Sequence, residues 1–206
     1  MLNPSSLDTA QAPVKLSSAQ GPIAHSDGLL LAVLNLARSC SAGPCPVSQS
    51  TYYTASPLCD PAHANDDDFD SFVCTCKGSG YCSDSDSWVR IDLQRSMAIM
   101  SGVVTSRGGT PSRIDNFRIW VGDAGDTYNA AGNSLCYTAT TYQHWLAPFK
   151  HSFPCVASGR YVFFQPTAIM TGDSNPNADF TELQIFNVSV SEGSTLDKLL
   201  DLCRVV

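Results

Sequence analysis

Trp88-Val89-Arg90-Ile91-Asp92-Leu93 and Asn116-Phe117-Arg118-Ile119-Trp120-Val121-Gly122-Asp123 both alternate apolar with polar residues. A period of two puts one set of side chains into a core and the other toward water, which is the pattern of a half-buried strand. The same alternation returns at Tyr161-Val162-Phe163-Phe164-Gln165 and at Leu183-Gln184-Ile185-Phe186. Met97 to Val104 is a continuous apolar run suited to a strand buried on both faces. Turn clusters punctuate these runs: Gly108-Gly109, Gly122-Asp123-Ala124-Gly125-Asp126, and Thr171-Gly172-Asp173-Ser174-Asn175-Pro176. Short strands at close spacing predict an all-β jelly-roll sandwich of about eight main antiparallel strands over residues 35–188.

Two flanking segments read differently. Residues 1–34 form an N-terminal arm, Pro/Ser/Gln-rich at first, in which Asp27 is placed to cap a short helix through Leu36. In the tail 189–206, Leu196, Leu199, Leu200 and Cys203 follow i, i+3, i+4, i+7 spacing and predict a short amphipathic C-terminal helix. Both segments are candidate contacts for other protein chains, through residues 1–34 and 190–206.

The 206 residues suffice for one sizeable core. Charged residues are only 15% and the net charge is −7, with no basic patch, which excludes nucleic acid as a partner. The apolar run from Gly28 to Leu36 is too short to span a bilayer, and Met1 to Gln20 shows no signal-peptide core. Nine cysteines point instead to disulfides in an extracellular or other oxidising lumenal compartment, with the odd number leaving one thiol over. Asn187-Val188-Ser189 is a glycosylation sequon. No nucleophile elbow, helical metal-binding His pair or paired-carboxylate arrangement supports catalysis, so the chain reads as a non-enzyme.

Arg107 and Arg113 stand six apart on one strand-connecting loop, Ser106-Arg107-Gly108-Gly109-Thr110-Pro111-Ser112-Arg113. Each offers five fixed donors and no acceptor, and stays charged at any working pH. Such a pair suits a ligand rich in acceptor oxygens, as a sugar is.

In order and spacing the chain resembles the F-type lectins, or fucolectins, of the discoidin-like group. The resemblance rests on Ser48-Gln49-Ser50-Thr51-Tyr52-Tyr53, Cys74-Thr75-Cys76, Trp88 to Leu93, Val103 to Gly108, Asn116 to Asp123, Leu135-Cys136-Tyr137-Thr138, Phe153-Pro154-Cys155, Gly159-Arg160-Tyr161-Val162 and Thr181 to Phe186. It implies a module that binds fucose-type glycans or glycoproteins beside a structural Ca²⁺. It places Arg107 and Arg113 at the sugar, puts Cys76 at the position of the family's sugar-contacting histidine, and leaves Trp145 either to stack on a sugar face or to anchor its loop. It implies calcium ligands at Asn65, Asp68, Asp70 and Glu182, with backbone carbonyls of Val73 and Thr181, and a Cys136–Cys155 disulfide. The partner of Cys74 stays open among the remaining cysteines. Two positions depart from the family: Cys76 replaces the histidine, and Gly109 replaces the aspartate that follows Arg-Gly. They leave a rival reading, a non-catalytic structural or interaction subunit that kept the fold and lost the sugar.

Overall fold

The structure is a computed structural model that describes residues 23–24, 30–51, 59–75, 86–108, 114, 116–139, 150–167 and 178–190. The chain divides into two compact units, one of Met1–Ala32 with Val190–Val206 and one of Val33–Ser189. In the first, β1 (Ile23–Ala24) pairs antiparallel with the start of β2 (Leu30–Asn35). The helix expected up to Leu36 is therefore corrected to a strand from Leu30. Leu30-Leu31-Ala32-Val33-Leu34 has no polar stripe of helical period, so edge pairing prevails over the Asp27 cap. A 3-10 turn follows at Leu36–Arg38, with the Asn35 side chain accepting from the Ala37 N–H. The C-terminal helix expected around Leu196–Cys203 lies outside the described residues.

The second unit is an all-β, curled sheet built round one long strand. β3 (Val47–Gln49), β4 (Val73–Cys74), β5 (Val89–Ser106), β6 (Phe117–Gly122), β7 (Asn133–Thr138), β8 (Lys150–Pro166) and β9 (Asp179–Val190) pair antiparallel in the order β9-β5-β8-β6-β7, with β3 on β5 and β4 on β9. The 18 residues of β5 run against β8 for nearly their whole length. On its other edge β5 pairs first with β3 (Val89–Ile91) and then with β9 (Ser101–Ser106). The change of neighbour falls at a break in register between Asp92 and Met97, where Gln94 takes a φ of 64° and its N–H donates to Asp92 Oδ1 at 2.7 Å. A bend of this kind lets one strand serve both layers of a sandwich.

The expected alternation is realised in the core. Val89, Ile91, Ile99, Val104, Ile119, Val121, Val162, Leu183 and Ile185 are buried round Phe117, which stacks on Phe164 at 4.9 Å and meets Phe153 edge-on at 6.0 Å. Burying each such ring stabilises the fold by about 2–3 kcal/mol. Cys136 on β7 is bridged to Cys155 on β8, Cys40 to Cys45, and Cys59 to Cys74.

Outside the core, Trp88 packs edge-on against Phe163 at 5.6 Å, and Arg90 lies over both Trp88 and Tyr161. Arg160 clamps Asp92 with two 2.8 Å bonds, and that bidentate contact holds the Asp92 carboxyl below its ordinary range.

Backbones approach closely where β8 passes β6. A Cβ added at Gly159 would lie 2.6 Å from the Gly122 N and Cα, whereas one at Gly108 would meet nothing within 4 Å. Gly159→Ala is expected to lower stability by about 3 kcal/mol, and Gly108→Ala to change it by less than about 0.5 kcal/mol, both read as midpoint shifts in urea denaturation.

Candidate functional site

β5 ends at Ser106, opposite Phe180 of β9, and Arg107 leaves the sheet there. β4 pairs with the same part of β9, setting Cys74 opposite Asp179 and Val73 opposite Phe180. These registers bring three separated residues together. The Arg107 guanidinium lies 3.7 Å from the Phe72 ring centroid, and its Nη1 is 3.5 Å from Asp179 Oδ2. Asp179 is fully buried, while 38% of the Arg107 side chain is exposed. Phe72 is fixed from below by a small apolar cluster with the Cys59–Cys74 disulfide and by a parallel bridge to Cys59. Arg107 is thus a half-exposed cation seated on a ring and oriented by a buried carboxylate. Arg113, Cys76 and Trp145 lie outside the described residues.

A second feature adjoins it. Asp60 caps a 3-10 turn, Pro61–Asn65, and an acidic loop follows. Asp66 Oδ1 accepts the Asp68 N–H and Asp68 Oδ1 accepts the Asp70 N–H, each at 2.9 Å, so the loop winds through successive Asx turns. Asp67 between them takes a φ of 67°. The Ser71 hydroxyl lies 2.8 Å from Asp66 Oδ2 and 3.1 Å from the Asp68 carbonyl. Asn65 Nδ2 donates to the carbonyls of Ala37 and Cys45, which ties the loop base to the Cys40–Cys45 turn. Arg38 pairs with Asp67 at 2.5 Å.

Glu182 faces this loop from β9. It is fully buried, its Oε2 accepts the Asp67 N–H at 3.1 Å, and its Oε1 has no hydrogen-bond partner among the described residues. Burial pushes its carboxyl up to about 8; the Asp67 N–H lowers it, the charges of Asp67 and Asp66 raise it, and Arg38 lowers it again. Of the residues expected to bind calcium, Asp68 and Asp70 share the loop, Asn65 ends the 3-10 turn before it, Glu182 faces it, and Val73 and Thr181 sit in adjoining strands, with the Thr181 hydroxyl donating to the Thr105 carbonyl. Asp66 and Ser71 join the group although the sequence set omitted them. Among the described residues no three carboxylate, imidazole or thiolate side chains close round one point. A hard cation would therefore need carbonyl and hydroxyl oxygens too, as Ca²⁺ accepts. A buried carboxylate oxygen without a donor, facing an acidic loop, fits such an ion.

Residues 63–164 match the family model described as a NedA-like, galactose-binding domain of the F5/8 type C group. The fold is that of the discoidin-like, F5/8 type C group. Solved structures share its fold. A serum fucolectin of striped bass (Morone saxatilis) superposes with a TM-score of 0.57 at 21% identity over 77% of this chain, which spans about half of that protein (48%). The lectin domain of lectinolysin in complex with Lewis b antigen gives 0.53 at 16% identity, covering 76% of this chain and 98% of that one. The family 32 carbohydrate-binding module of NanJ from C. perfringens, in complex with galactose, gives 0.55 at 14% identity, covering 76% and 99%. No curated protein matches the chain in sequence.

The raised carboxyl gives this discoidin-like domain a definite pH response. Without metal, folded Glu182 keeps its proton up to about pH 8, while in the unfolded chain it ionises near 4.5. The folded state binds the extra proton in that window, so the stabilisation is complete below about pH 4.5 and is lost as pH rises to 8. In a chelating buffer the Tm, followed by circular dichroism, is expected to fall between these pH values, at about 3 °C per kcal/mol. Glu182→Gln should flatten the slope.

Proposed function

We propose that this chain is a non-catalytic glycan-binding module for fucose-type sugars, held by a structural calcium ion. The observation that carries the reading is Arg107. Its guanidinium has five donors, one terminal nitrogen faces Asp179, and the half-exposed remainder is free to donate to a ring oxygen and an axial hydroxyl. Phe72 and the Cys59–Cys74 bridge give the cation a rigid apolar seat, which lowers the ordering cost of binding. The fold shared with lectins and carbohydrate-binding modules supports the class of ligand.

Calcium would be held by Glu182, Asp66 and Asp68, with Ser71 and the backbone of the loop, and Asn65, Asp70, Val73 and Thr181 beside them. Its contribution is charge: it neutralises the buried carboxylate and fixes the loop that carries Phe72. Three disulfides among the described residues fit an oxidising extracellular or lumenal compartment. Among those residues no helix is long and apolar enough to cross a membrane.

One observation favours the rival reading of a structural subunit: Arg107 already has an ion-pair partner and a ring partner within its own domain. Titration calorimetry with L-fucose and D-galactose, with and without calcium, separates the two. The glycan reading expects millimolar-or-better binding in calcium, weakened by about 10- to 100-fold in Arg107→Ala, the loss of one charged hydrogen-bonding group. Absence of binding to both sugars and to any fucosylated glycan on an array leaves the structural role.

A further inference from the structure

The acidic loop carries a second ring. Phe69 is 45% exposed, and Lys150 Nζ lies 5.2 Å from its centroid. Lone exposed apolar residues are ordinary on protein surfaces. Three observations set Phe69 apart. The first is rigidity, since the Asp70 N–H, the peptide that follows Phe69, donates to Asp68 Oδ1 and the loop is tied to Glu182 through the Asp67 N–H. The second is position. Thr105 pairs with Lys150 on one side and with Glu182 on the other, and Arg107 lies two residues further along the same chain. The ring–cation pair Phe69–Lys150 therefore stands beside the pair Phe72–Arg107, at the same end of the sandwich. The third is spacing. The two rings stand three positions apart along the chain, with Asp70 and Ser71 between them, a reach of at most about 10 Å, comparable with a disaccharide.

We infer that Phe69 and Lys150 form a second sugar subsite, which takes the ring next to the one bound at Arg107. This rests on the glycan-binding reading and specifies it: the preferred ligand is an oligosaccharide rather than a single sugar. The two pairs divide the work. Phe72 is buried beneath Arg107, so the first subsite acts through guanidinium donors. Phe69 presents open ring surface, so the second acts through packing against the apolar face of a pyranose, and the Lys150 ammonium donates to a hydroxyl at its edge. No acidic side chain among the described residues lies within ion-pair distance of Lys150.

The test uses the full chain in calcium, with L-fucose, D-galactose, lactose and the Lewis b tetrasaccharide as probes. The wild type is expected to bind one of the two oligosaccharides about tenfold more tightly than either free sugar. Phe69→Ala should remove that gain and leave the monosaccharide affinity unchanged; Lys150→Met should remove part of it; Arg107→Ala should weaken both classes. Equal oligosaccharide binding by Phe69→Ala and wild type overturns the subsite while the Arg107 reading stands. A parallel loss of monosaccharide affinity in Phe69→Ala, with a lowered Tm in calcium, also overturns it, since the ring then only supports the loop. If the wild type binds none of the four probes, the glycan reading itself falls and the subsite with it.

Discussion

One strand has to serve two layers, and the architecture follows from how β5 manages it. Its first half lies between β3 and β8, its second between β9 and β8, and the break between Asp92 and Met97 turns the chain from one neighbour to the other. The Asp92 carboxylate works on both sides of that break. It accepts the Gln94 N–H, which stabilises the left-handed residue, and it takes the fork of Arg160 from β8. Because β5 leads directly into Arg107, the placement of that cation follows from the course of the same strand.

The site end of the domain is a problem in burying charge. Asp179 and Glu182 are both fully buried near the start of β9. Desolvating a carboxylate costs several kcal/mol unless a cation or donors compensate. Asp179 is compensated by Arg107, a residue of the chain itself. Among the described residues, Glu182 has the Asp67 N–H and the more distant Arg38. Two like groups three residues apart are thus answered in different ways, one by a side chain that also faces solvent and one by a place suited to an added ion.

Much of the fold was legible because local alternation and burial coincide. Val89, Ile91, Ile119, Val121, Val162, Leu183 and Ile185 are buried where a period of two put them. Phe163, on the face opposite Val162 and Phe164, is fully buried as well, with Trp88 packed edge-on against its ring. Leu30–Asn35 misled, since an apolar run of that length fits either structure until its pairing partner is known. Arg107 stood out by charge and by its place between two strand patterns. Its partners Phe72 and Asp179 did not, because only the β4–β9 and β5–β9 registers bring them near it. Asp66 and Ser71 carried a readable signal, Asp-x-Asp-x-Asp followed by Ser, that spacing arguments drawn from relatives passed over. Phe69 had none, since its exposure is a tertiary fact.

The Cys59–Cys74 bridge encloses the capped turn, the whole acidic loop and both Phe69 and Phe72 in one covalent ring. Both ends of the ring are pinned, by the β4–β9 pairing and by the Cys59–Phe72 bridge. Between those ends the ring is tied to the scaffold through the Asp67 N–H on Glu182 and the Asn65 amide on the carbonyls of Ala37 and Cys45. The ring is a covalently closed segment hung on the sheet at its two ends, so the strain of any change within it is confined between Cys59 and Cys74.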